Sequence, residues 1–150
     1  MALLPVYRAI QRIEEGIRVR DPDFAKSLAP ESFLIVPDRK IALGTRPIVF
    51  ENYPGATTEE RMGKQREDHH AVKVRLTTHD GNFAAACEMA LGFFDAAWDA
   101  FDAQRRSGQR LDQTVAYLTL RADADLMSEF EGRPGCEFWL DLVLLTEVEV

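Results

Sequence analysis

The chain has 150 residues, 46 % hydrophobic and 29 % charged, which is the make-up of a single domain spanning residues 1–150. Eighteen Lys and Arg against 25 Asp and Glu leave a formal charge of −7, which argues against a nucleic-acid or anionic-membrane binder resting on global positive charge. No apolar run approaches the roughly 18 residues of a membrane span, and the N-terminus meets charge at Arg8, too early for a signal-peptide core.

In chain order, the first predicted element is a helix over about residues 4–19. Val6, Ile10, Ile13 and Ile17 recur on one stripe, while Arg8, Gln11, Arg12, Glu15 and Arg18 cover the other side. Pro5 fits the first turn, where its missing N–H costs nothing, and Asp21-Pro22-Asp23 is expected to stop the helix. Residues 21–32 read as a connector with a short helical turn at Phe24–Leu28. A short strand is predicted at Phe33–Val36, closed by Pro37-Asp38, and a second strand at Arg46–Tyr53.

Pro54–Asp68 (PGATTEERMGKQRED) has Met62 as its one large apolar residue and many charges of both signs, so it reads as a long polar loop or an extended hairpin arm. Strand character returns at His70–Thr78, where Val72, Val74 and Leu76 alternate with Lys73, Arg75 and Thr77. Asp80-Gly81-Asn82 then caps the strongest predicted helix, about Phe83–Arg106. Its expected core positions are Phe83, Cys87, Ala90/Leu91, Phe94, Ala97/Trp98 and Phe101, and Ser107-Gly108 ends it. Two strands finish the chain: Thr114–Arg121, an acidic link (ADADLMSEFEGRPG), and Cys136–Val150, with Phe138, Leu140, Leu142 and Leu144 on one face. The order α-β-β-β-α-β-β predicts an α+β domain, its antiparallel or mixed sheet packed against an N-terminal helix and one long central helix.

No residue pattern points to catalysis, and no cofactor, metal site or enzymatic activity is expected. Adjacent His69 and His70 face opposite sides of a strand, His79 lies at its far end, and the two cysteines, Cys87 and Cys136, fit no metal-ligand spacing and read as free thiols in a reducing compartment. There is no G-x-S-x-G elbow and no phosphate-cradling glycine loop. Glu88, Asp95, Asp99 and Asp102 make an acidic stripe on the long helix, which reads as a solvated or partner-facing side. The mixed-charge arm is either a solvated loop or a segment ordered by a neighbouring subunit. Leu126, Met127 and Phe130 suit a docking loop, and the long apolar final strand, taken as an edge, would need covering.

The run RPIVFENYPGATTEERMGKQREDHHAVKVRLTTHD, the helix FAAACEMALGFFDAAWDAFDA, the acidic loop RADADLMSEFEGRPG and the closing EFWLDLVLLTEVEV resemble the tail-terminator (tail-completion) proteins of long-tailed bacteriophages. The resemblance is one of element order and texture over most of residues 1–150. It implies a structural virion protein at the head-proximal end of the tail, made in the host cytoplasm. It further implies a homohexameric ring that caps the tail tube and meets a tail-tube protein on one side and a head-side connector or stopper on the other. DNA would pass through its lumen without specific binding, and no membrane is involved. Subunit contacts would fall on Glu59, Glu60, Arg61, Lys64 and Arg66, with Leu126, Met127 and Phe130 in the second loop. Two alternatives stand beside it: another head–tail connector or neck protein, or a small-ligand-binding α+β domain with an acid such as Asp99 or Glu88 at its pocket mouth.

Overall fold

A computed structural model of the chain describes residues 2–19, 29–34 and 47–147. Helix α1 (Leu3–Glu15) buries Val6, Tyr7, Ala9, Ile10 and Glu14. It stops at Gly16, whose N–H reaches the carbonyls of Arg12 and Ile13, and so ends well before Asp21-Pro22. The reason is local, because glycine has the largest backbone entropy to lose in a helix. The expected stop at Asp21–Asp23, the turn at Phe24–Leu28 and the Pro37-Asp38 turn lie outside the described residues.

Strand β1 (Glu31–Leu34) begins two residues before the expected Phe33 and runs parallel to the start of β2 (Ile48–Met62). β2 and β3 (Gln65–Thr78) form one antiparallel hairpin, so Pro54–Asp68 is an extended arm rather than a loop. A register shift between Pro54 and Thr57 absorbs the proline, and Gly63, at φ 64°, opens the two-residue turn that closes the hairpin.

Helix α2 (Phe83–Ser107) starts at Asn82, whose side chain accepts from the backbone N–H groups of Ala84 (3.0 Å) and Ala85 (3.3 Å). It ends where Gly108 turns left-handed. Its buried face is Ala86, Met89, Ala90, Phe93, Phe94, Ala97 and Phe101. Of the expected core positions, Phe83 (57 %) and Leu91 (43 %) are exposed, and Cys87 and Trp98 are half-buried. Ala90, Phe94, Ala97 and Phe101 are buried as expected and Met89 and Phe93 join them, because the helix is apolar around so much of its girth that its buried face is wider than one stripe.

After α2, Arg110–Gln113 form a single left-handed turn with φ between 49° and 60°. Each such residue costs roughly 1–2 kcal/mol. The turn is held by the fully buried Leu111, by the Thr114 hydroxyl donating to the Leu111 carbonyl at 2.6 Å, and by an Arg12–Asp112 ion pair. Then come β4 (Tyr117–Arg121), β5 (Met127–Phe130) and β6 (Arg133–Glu147). β5 is an addition to the expected order, which becomes α-β-β-β-α-β-β-β. The Glu131-Gly132 pair, with φ of 52° and 79°, makes the hairpin turn that hides this short strand inside an acidic link.

The six-stranded sheet runs β1-β2-β3-β6-β4, with β5 also paired to β6, and it is mixed because only β1–β2 is parallel. β6 is therefore not an edge: β3 flanks one side, and β4 and β5 share the other. That is how so apolar a strand is covered without a partner chain. The fold is α+β, with the core formed where α1 and α2 meet Ile48, Phe50, Val72, Val74, Leu76, Phe138, Leu140 and Leu142. Among the described residues, no helix is long and apolar enough to cross a membrane.

Candidate functional site

The arm is joined to the body by a buried relay. His70, on the helix-facing side of β3, has Nε2 2.7 Å from the Tyr7 hydroxyl of α1 and Nδ1 2.7 Å from the Thr57 hydroxyl of β2. One neutral imidazole serves both, because one ring nitrogen accepts while the other donates. Burial favours that state: it lowers the His70 pKa and pushes Tyr7 up to about 12.

Beyond the relay the arm is three strands wide, since β6 continues beside β3 as far as the Gln65–Glu147 pair. Among the described residues, β1 pairs with β2 over Val49–Asn52, and Thr57–Met62 pairs with β3 alone. Similarly, β4 reaches only Val143 of β6. Among the described residues the arm thus carries open strand edges, the kind of surface to which another strand can add.

The residues expected at subunit contacts divide into two groups. Glu59, Glu60, Arg61 and Lys64 are exposed along the arm and its turn, with Arg61 donating to Glu59 at 3.0 Å. Arg66 is half-buried against Asp68 at 3.1 Å, on the helix-facing side. Leu126, Met127 and Phe130, the second set, are each half-buried. Leu126 and Met127 pack against the protein's own core. The Phe130 ring covers Gly135, where an added Cβ would come within 2.8 Å of it, and lies 4.1 Å below the Arg75 guanidinium. β5 turns these apolar side chains partly back onto the sheet.

The helix-free face of the sheet is closed by stacked cations. Lys73 (5.2 Å) and Arg121 (4.8 Å) both lie over the Trp139 ring, Arg75 pairs with Glu137 at 2.6 Å, and Arg121 pairs with Asp141 at 2.7 Å. On the same face, a hollow of about 530 Å³ is lined by Ala56, Thr58, His69, Ala71, Tyr117 and Val143 among others. Opposite, a second cleft of about 550 Å³ runs between α2 and the β4–β5 link, with Phe94 and Trp98 in its wall and Asp95, Asp99 and Asp123 around it. Asp99 is therefore at a pocket, as the ligand-binding alternative expects, whereas Glu88 is not among its lining residues. Asp102 belongs to neither cleft; Arg105 (2.7 Å) and Arg106 (2.9 Å) hold its carboxyl below the usual range.

Two constellations escape a one-dimensional reading. Glu14 of α1 is completely buried and accepts from Asn52 Nδ2 (2.6 Å) and the Ser32 hydroxyl (2.9 Å), tying three elements together. Glu60, Glu67 and His69 converge on the outer face of the arm. Alternation could have placed Glu67 with His69, but Glu60 joins them only through the hairpin register. The Cys136 thiol is buried and pushed up to about 12 by that burial, which makes it a poor nucleophile. No protein-family model matches the chain, and no curated protein matches it by sequence.

Proposed function

We propose that the protein is a ring-forming structural component of a long-tailed phage or phage-like particle, a tail terminator that caps the tail tube and joins it to the head-side connector. The observation that carries this reading is the arm: among the described residues, fifteen-residue β2 runs on past its parallel neighbour with one edge open and Glu59, Glu60, Arg61 and Lys64 exposed. Such an element stabilises the isolated chain little, and it gains its ladder and charge partners from a second copy. A connector or neck protein with the same architecture would differ only in which rings it meets.

The test is the charge-reversed pair Arg61→Glu with Lys64→Glu. Both side chains are exposed, so the thermal midpoint is expected to stay within about 2 °C, as for surface changes worth under half a kcal/mol. Assembly, followed by light scattering, is expected to be lost. Rings that form as readily as those of the parent chain would remove the arm from the interface. The cleft at Trp98 and Asp99 favours a second reading, a small-ligand domain; that reading predicts a chain that stays monomeric and binds its ligand between α2 and the β4–β5 link.

A further inference from the structure

We infer that Glu60, Glu67 and His69 form a binding site for one divalent transition-metal ion, of the Zn²⁺ type, on the outer face of the arm. The β2–β3 register sets Glu60 opposite Glu67 and Thr58 opposite His69, and strand alternation turns Glu60, Glu67 and His69 to one face while His70 turns to the other. His69 Nε2 lies 3.1 Å from Glu67 Oε2 and 3.8 Å from Glu60 Oε2, and the three ligand atoms are all within 4.8 Å of one another. Ligand atoms around a tetrahedral ion with bonds of about 2.0–2.1 Å stand about 3.3 Å apart, so small rotations of these side chains close the site.

The local electrostatics point the same way. Two carboxylates directly opposed across antiparallel strands repel each other. Among the described residues, no Lys or Arg pairs with either, since Arg61 is taken by Glu59, Arg66 by Asp68, and Lys64 sits in the turn; the group between the carboxylates is the His69 imidazole, hydrogen-bonded to Glu67. A cation between the two carboxylates removes that repulsion. One imidazole nitrogen with two carboxylate oxygens suits Zn²⁺ and its neighbours over Mg²⁺ or Ca²⁺, which prefer oxygen alone. Glu60 is exposed and Glu67 and His69 are half-buried, so the remaining coordination positions would open to solvent and take water.

This site does not depend on ring formation, and its test is separate. Tag-free protein is titrated with ZnCl₂ at neutral pH by calorimetry, and Co²⁺ loading is followed by its visible absorption. One saturable site per chain is expected, unaffected by excess Mg²⁺. His69→Ala and Glu67→Gln are each expected to weaken it by at least about tenfold, since loss of even an outer-shell partner costs about ten- to a hundredfold. His79→Ala is expected to change nothing. All three positions of the site lie at the surface, so an unchanged thermal midpoint verifies that the variants fold. No saturable uptake at millimolar Zn²⁺, or uptake that both variants leave intact, would overturn the assignment.

Discussion

Phe138→Ala is expected to cost about 3–5 kcal/mol of folding free energy, the largest loss from any single truncation in the sheet. Phe138 is 0 % exposed and sits on the interior strand β6. Its ring meets those of Phe94 (5.7 Å), Phe101 (6.0 Å) and Trp98 (6.1 Å), so it is the point at which α2 is seated on the sheet. The cavity cannot collapse readily, because β6 is fixed by ladders on both sides. Urea unfolding with an unchanged slope measures this directly. A cost below about 1 kcal/mol, the range of a tolerated volume-conserving swap, would mean that α2 is not seated on Phe138.

The second large effect concerns Glu14 and is a dependence on pH. Burial raises its pKa from 4.5 to about 8, against the pull of the hydrogen bonds from Asn52 and Ser32, with Glu15 adding repulsion. Its Oε2 has no hydrogen-bond partner among the described residues, so the folded state favours the neutral acid. In the unfolded chain the same group ionises at its ordinary value. Between 4.5 and about 8 the folded state therefore holds a proton that the unfolded state has released. Stability is fully present below the lower value and is lost as pH rises through the window, at roughly 1.4 kcal/mol per unit and about 5 kcal/mol in all. His70 acts with the opposite sign: its lowered pKa means that stability falls as pH drops below its ordinary value of 6.5. Glu14→Gln keeps an acceptor for Asn52 and Ser32 and cannot ionise. It is expected to match the parent at the acid end of the window, to be clearly more stable near pH 8, and to lose the slope between. Chemical unfolding across that pH range checks it, and an unchanged slope would place the titrating group elsewhere.

Much of the architecture is legible in the sequence because it rests on periodicity. The alternation of Val72, Val74 and Leu76, and of Phe138, Leu140, Leu142 and Leu144, sets strand and face alike, and Asn82 with Gly108 brackets the long helix. Less legible are the full width of α2's buried face, which also takes in Met89 and Phe93, and β5, a four-residue strand whose identity comes from its pairing with β6. The placement of β6 inside the sheet, between β3 and β4, is a matter of pairing order, which no local pattern encodes. The same limit applies to the sites. Glu59, Arg61 and Lys64 stand out as an exposed mixed-charge run. The Glu14–Ser32–Asn52 cluster, the Tyr7–His70–Thr57 relay and the Glu60–Glu67–His69 set each need residues distant in sequence, which become neighbours only once helix and strands have docked.

Self-assembly into a ring is read directly from the mass of the protein in solution. Multi-angle light scattering of the full chain, alone and mixed with tail-tube preparations, followed by negative-stain imaging, is predicted to give six-fold rings, either free or seated on tube ends. A monomer that remains monomeric and leaves tube ends bare would contradict it.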